Sequence, residues 1–171
     1  MASLAVSLGL RAADPLTNLV GIPNYAPAYL AFHFVWAYGI LSSRTLKQWY
    51  KLDHQESPRY DLVKYGEAAV KSGKITKRQL NMMQRCESAS ANSVENYTFF
   101  LGAIGFATFS GVDRQTVNYW GLMYTAARIA YGAAYVLIED RKVALVRGLL
   151  WWAGNAACFA LLWAAGGKLN A

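Results

Sequence analysis

Gly148 to Gly167 is a run of 20 residues without a charge, and it decides what class of fold this chain can adopt. A helix needs about 20 mostly apolar residues to cross the hydrocarbon core of a bilayer. Trp151, Trp152 and Trp163 lie near the two ends of the run, where interfacial aromatic belts sit. Three more stretches share this character. Ala28 to Leu41 carries no formal charge, with Tyr25, Tyr29, Trp36 and Tyr38 as aromatic anchors and Arg44 and Lys47 closing it. Asn96 to Val112 is uncharged, and Gln115 to Ile138 is uncharged except for Arg128. The expected architecture is an all-α membrane protein. One domain over residues 1–171 forms a four-transmembrane-helix bundle, with spans at about 25–44, 88–111, 115–138 and 146–167.

The hydrophobic residues, 55% of the chain, come in these blocks rather than in amphipathic patterns. That makes the net charge of +7 a matter of sidedness, not of nucleic-acid binding. The polar stretch from Ser42 to Gln84 holds nine basic residues against four acids, without aromatic interleaving or a nucleic-acid motif. Its basic residues read as a solvated collar facing the lipid headgroups. Thr76 with Gln79 forms a capping box, opening a helix that runs to about Ser110 and projects beyond the bilayer at its start. Gly111-Val112-Asp113 turns the chain, and Asp14-Pro15 and Ile22-Pro23-Asn24 are loop signals. Met1 to Leu10 lacks the basic start of a cleaved signal peptide and reads as a lumenal or surface segment. Cys86 and Cys158 have no metal-ligand spacing around them and read as buried, reduced thiols. No metal site is expected, and His33 reads as a packed or interfacial residue. Asn96-Tyr97-Thr98 matches a glycosylation sequon but lies at the cytosolic end of a span, where no glycan would be added.

Two polar stripes enter the apolar runs. Arg85, Ser88, Asn92 and Glu95 are spaced 3, 4 and 3 apart and share one helical face at about 100° per residue. Arg128, Tyr131 and Tyr135, spaced 3 and 4 apart, share a face of the next helix. If that helix continues, Lys142 returns to within about 40° of Arg128 while Arg141 points away. An ionisable group at membrane depth is costly and asks for a partner or a ligand. Glu95 and Arg128 are the natural pair. Together the stripes suit a small, multiply charged ligand held between helices. Such a pair can equally lock two helices with no ligand, and spacing alone leaves both readings open.

The segments RCESASANSVENYTFF and YTAARIAYGAAYV resemble the membrane-associated proteins in eicosanoid and glutathione metabolism. The family pattern is carried by Arg85, Asn92, Glu95, Asn96 and Phe100, then by Arg128, Tyr131 and Tyr135. The resemblance implies a four-helix homotrimer of the endoplasmic reticulum or nuclear envelope, binding glutathione between subunits near the cytosolic face. It implies a glutathione transferase or peroxidase acting on a lipophilic small molecule that arrives from membrane lipid. A non-enzymatic lipid- or glutathione-binding scaffold of the same fold is the alternative. By the same resemblance Arg85, Ser88, Asn92, Glu95, Asn96, Arg128, Tyr131 and Tyr135 line the glutathione site. The family's thiol-activating Arg falls on Lys142, with Arg141 one residue out of phase and Arg128 as a further cation. Two positions depart from the pattern: a second motif Arg is Ser88 here, and a frequent His is Ser90.

Four spans place both termini on one side. Twelve Lys and Arg residues then lie on the opposite side, between and at the ends of the spans, against Arg11, Arg114 and Lys168 on the side of the termini. The positive-inside rule makes the twelve-residue side cytosolic. A cysteine placed at Ser57 should therefore be labelled in sealed microsomes without permeabilisation. Labelling only after permeabilisation reverses the orientation.

Overall fold

The computed structural model describes residues 4–12 and 21–171, and among these the chain is helical, without a strand. The Asp14-Pro15 loop signal lies outside the described residues. Helix α1 is a short turn, Leu4–Ser7. Helix α2, Ala26–Val35, has Pro27 in its first turn, where a missing N–H costs nothing, and runs on as a π-helical turn, Trp36–Ile40. Two short helices follow, α3, Arg44–Trp49, and α4, Asp61–Lys71. Three long ones complete the chain: α5, Lys77–Phe109, α6, Arg114–Leu137, and α7, Val146–Leu169, entered through a 3-10 turn at Val143–Leu145. The segment Val143–Leu169 is by length and composition apolar enough to cross a membrane.

Local chemistry sets the helix ends. The Thr76 side chain accepts from Gln79 N at 3.2 Å while Gln79 Oε1 accepts from Thr76 N at 2.7 Å, so two orphan donors of α5 are satisfied reciprocally. At the far end Gly111, at φ +80°, lets Val112 N reach Ala107 O and Gly111 N reach Thr108 O. That crossed pair of bonds is the Schellman arrangement, which an L residue adopts only with strain. Asp113 then caps α6 by accepting from Thr116 N at 2.8 Å.

Helices α5, α6 and α7 pack on one another, and α2 lies against α5 and α6. Phe100, Ile104, Val117, Tyr124 and Leu161 are buried in the centre. A second apolar cluster, containing Leu62, Ala69, Leu80 and Met83, seats α4 on the first part of α5. That part of α5 is therefore covered by chain rather than projecting bare. Both cysteines are free and buried, and burial raises the Cys86 thiol above its ordinary value. His33 is buried, with Nε2 3.0 Å from Thr125 Oγ1, so it is a packed residue of the α2–α6 contact.

One sequence expectation fails here. Lys47 is not part of a solvated collar: it is 3% exposed. Its ammonium lies 3.1 Å from Glu87 and 3.8 Å from Asp61, and it donates to the carbonyl of Pro58. Counting charges in a polar stretch cannot see that two acids and a carbonyl converge on one amine. The remaining collar residues Arg44, Lys51, Arg59, Lys64, Lys71, Lys74, Lys77 and Arg78 are exposed.

Glycines set how closely α2 approaches α6. A Cβ on Gly121 would lie 2.6 Å from the Tyr29 ring, and one on Gly132 would lie 2.8 Å from Trp36. Gly121 and Gly132 are 11 residues apart, close to three full turns, so they form one smooth strip for the two rings. The Tyr29 hydroxyl donates to Asn118 O at 3.1 Å, which fixes the ring in place. Gly121→Ala should lower stability by about 1–3 kcal/mol through overpacking. Thermal unfolding in detergent measures this. Pairing the change with Tyr29→Leu should recover most of the loss, and additive losses would mean the strip is not what seats α2.

Candidate functional site

Arg128 is a deeply buried charge, 1% exposed in the middle of α6. A guanidinium there needs partners, and α5 supplies two. Nη2 donates to Asn92 Oδ1 at 3.0 Å and to Ser93 Oγ at 3.1 Å. The Tyr131 ring lies under it, 4.4 Å from centroid to Cζ, giving a cation–π contact. From α7, Gly154 leaves room for the aliphatic stem: a Cβ there would be 3.3 Å from Arg128 Cδ. Nη1 has no partner.

The expected Glu95–Arg128 ion pair is not made. Glu95 is exposed and takes part in no hydrogen bond or ion pair among the described residues. The physical reason is helix phase. Asn92 and Ser93 lie toward α6 and the core, whereas Glu95 is rotated toward the outer side of α5, where it lines a cavity with Tyr38, Arg44 and Arg59. Asn96 departs from its expected role as well. It is buried and donates to Asn155 Oδ1 at 3.0 Å while Tyr124 donates to its Oδ1 at 3.0 Å, so its amide is committed to joining α5, α6 and α7. Ser88 is exposed and donates back to Gln84 O at 3.1 Å, leaving a free surface where the family pattern has a guanidinium.

The C-terminal end of α6 gathers cations. A helix ends with unpaired carbonyls and a partial negative charge. Arg85, from α5, donates to Val136 O at 2.9 Å and to Glu139 at 3.0 Å. Arg147, from the first turn of α7, donates to Ala134 O at 3.3 Å and to Ile138 O at 2.6 Å. Its guanidinium lies over the Tyr135 ring, 4.4 Å from the centroid, and Tyr135 lies 5.6 Å from Tyr131 between centroids. Hydrogen bonds from Arg78 and from Arg85 hold the Glu139 carboxyl below its ordinary pKa, so it stays ionised beside them.

Lys142 and Arg141 do not reach this cluster. Helix α6 stops at Leu137 and Ile138 is extended, so the helical phase that would return Lys142 to the Arg128 face is lost. Both side chains are exposed in the turn, where Asp140 accepts from the backbone N–H of Lys142 and of Val143. The cation that closes the Tyr131–Tyr135 stripe is Arg147, a residue outside both family motifs. Its signal was available: it is the single charge between Val143 and Gly167.

The arrangement offers a cationic, phenolic corner at the end of α6 and, on the adjoining face of α5, an exposed hydroxyl and carboxylate at Ser88 and Glu95. Four groups, Arg85, Asn92, Tyr131 and Arg128, are already engaged with one another or with backbone. The family model described as the MAPEG family matches residues 22–167. No curated protein and no solved structure matches the chain.

Because Arg128 is held by neutral groups, its stability should depend on Asn92 and not on Glu95. Asn92→Leu leaves Nη2 with Ser93 alone and should cost about 1–3 kcal/mol. Glu95→Gln should change stability by less than about 0.5 kcal/mol. Unfolding of the purified protein in detergent compares the two, and an equal loss for both would reinstate the ion pair.

Proposed function

The chain belongs to the MAPEG family, a membrane-integral family with roles in glutathione or eicosanoid metabolism, and on that premise we propose that it is a membrane-bound glutathione transferase. The observation that carries the proposal is Arg147 stacked on Tyr135 at the end of α6, beside Tyr131. This places a cation and a phenol together at the end of α6, and Arg147 here takes the thiol-activating role that the resemblance gave to Lys142. The active arrangement is a homotrimer of four-span subunits in the endoplasmic reticulum membrane, with the site toward the cytosol. Each subunit exposes large apolar side chains along its long helices, among them Phe109, Leu149, Trp152 and Trp163, which need lipid or a neighbouring subunit to cover them.

Glutathione enters from the cytosol and lies along the Ser88–Asn92–Glu95 face, with its thiol toward Arg147 and Tyr135. A free thiol of this kind has a pKa near 8.5, so little of it is thiolate at neutral pH. A guanidinium in a water-poor corner favours the thiolate, and one unit of pKa corresponds to about 1.4 kcal/mol. The thiolate sulfur then attacks the electrophilic carbon of a lipophilic substrate delivered from the bilayer. The new carbon–sulfur bond takes the sulfur lone pair, and the electron pair of the broken bond leaves with the departing group. With a lipid hydroperoxide the same thiolate attacks the terminal oxygen instead: the O–O bond breaks, the alkoxide leaves and is protonated to the alcohol, and a second glutathione thiol displaces water from the resulting sulfenic acid to give the disulfide.

Arg147→Ala should lower turnover at least about tenfold and move the thiolate titration of bound glutathione upward by about one unit, because loss of the cation disfavours the charged form. Arg147→Lys should keep part of both. Lys142→Ala and Arg141→Ala should leave the titration in place. The thiolate absorbance of bound glutathione, followed against pH, is the measurement. A titration that stays where it was in Arg147→Ala would bring the non-enzymatic binding scaffold forward.

A further inference from the structure

We infer that Arg59, on the loop between α3 and α4, binds the α-carboxylate of the γ-glutamyl end of glutathione across a cavity from Glu95. The inference rests on the glutathione reading and extends it to a residue outside both family motifs. A cavity of ≈ 530 Å³ lies between the end of the α2 π-turn, α3, this loop and the outer face of α5. That volume falls within the range of about 300–1,000 Å³ that small-molecule sites occupy. Tyr38, Ala91 and Val94 give it an apolar wall, and its charged lining is Arg44, Lys47, Arg59, Glu87 and Glu95.

The pairing of these charges identifies the ligand's chemistry. Lys47 and Glu87 neutralise each other at 3.1 Å, and Glu87 also accepts from Ser43 at 2.9 Å. Arg44 is engaged by Asp53 at 3.5 Å and by Gln55 at 3.0 Å. That leaves one cation and one anion with no hydrogen bond or ion pair among the described residues: Arg59 and Glu95. They line one cavity and do not meet each other. A wall with one free guanidinium and one free carboxylate is the complement of an amino-acid zwitterion. The guanidinium takes the carboxylate through a two-pronged hydrogen bond and the carboxylate takes the ammonium. The γ-glutamyl residue is the part of glutathione that carries both groups on one carbon. Glu95 also lies on the helical face that leads past Asn92 toward α6, so a peptide held at Glu95 by its amine can extend toward Arg147.

The loop carrying Arg59 is anchored rather than loose. The carbonyl of its neighbour Pro58 accepts from Lys47, which is buried and fixed by Glu87 and Asp61. Asp61 in turn accepts from His54 N at 3.1 Å and lies 2.9 Å from His54 Nδ1. Lys47 is thus a positioning residue: it orients the peptide unit before Arg59 without touching the ligand.

The test uses the full-length protein in lipid nanodiscs and two peptides, glutathione and 4-aminobutyryl-Cys-Gly, which lacks only the α-carboxylate. Wild type should bind glutathione more tightly, by about tenfold, as expected for one charge-assisted hydrogen-bonded pair. Arg59→Gln should bind glutathione about tenfold more weakly and the shorter peptide unchanged, removing the discrimination. Arg59→Lys should restore part of it. The inference falls if wild type binds the two peptides equally, if Arg59→Gln binds glutathione like wild type, or if it weakens both peptides by the same factor. Each of those outcomes leaves glutathione binding itself standing. Failure of wild type to bind glutathione at all would overturn both the inference and the reading beneath it.

Discussion

A single buried guanidinium organises the centre of this structure. Arg128 lies inside a helix packing that offers it no carboxylate, and desolvating an unpaired charge is among the largest penalties a fold can carry. The surrounding residues are arranged to soften that penalty. Asn92 and Ser93 fix the rotation of α5, since both must point their oxygens at one nitrogen. Gly154 fixes the approach of α7, and the Tyr131 ring covers the remaining face. A second polar junction, Asn96 with Asn155 and Tyr124, joins the same three helices one turn further along. Apolar contact between helices is non-directional and allows them to slide. Hydrogen bonds from one donor to two oxygens do not, so these polar groups specify the register that the apolar surfaces leave open.

The same logic of unmet polar groups links fold to proposed chemistry at the end of α6. Its last carbonyls have no further turn to bond them, and Arg85 and Arg147 converge there from two different helices. Arg147 therefore has two occupations. Its N–H groups close the helix end, while its face covers Tyr135. A cation held this firmly loses little freedom when an anion arrives, which is the condition for stabilising a thiolate with little reorganisation.

What could be read in the residues was what local chemistry decides. The Thr76–Gln79 box and the turn at Gly111-Val112-Asp113 each depend on a few neighbouring residues, and the structure shows both. The Arg128–Tyr131–Tyr135 stripe was visible for the same reason, because spacing within one helix follows from its pitch. Pairing between helices was not. Glu95 and Arg128 are complementary in charge and lie in adjacent helices, yet a rotation of α5 by about one residue's angle presents Asn92 and Ser93 instead. The span expected at 115–138 matches α6, and what failed was carrying its helical phase on to Lys142. The stop comes from tertiary bonds to its carbonyls, which leave no mark in the local sequence. Lys47 was misread because burial of a basic residue depends on acids 14 and 40 positions away.

The departures from the family pattern acquire a physical sense in this setting. Ser88 stands where the family pattern has a guanidinium, so the first half of α5 has one cation fewer on its exposed face. The position next to it is Glu87, which makes this stretch of helix more acidic still. In compensation, the segment between α2 and α4 folds back over that face. It brings Lys47 against Glu87, and it brings Arg44 and Arg59 to the same cavity wall. In the proposed site the cation for a peptide carboxylate therefore comes from the loop, as Arg59, rather than from α5 itself. A loop-borne cation is set by its anchors, not by helical phase. In the proposed site, ligand selection would then depend on the buried Lys47–Asp61–Glu87 contacts, which tie the loop carrying Arg59 to α5.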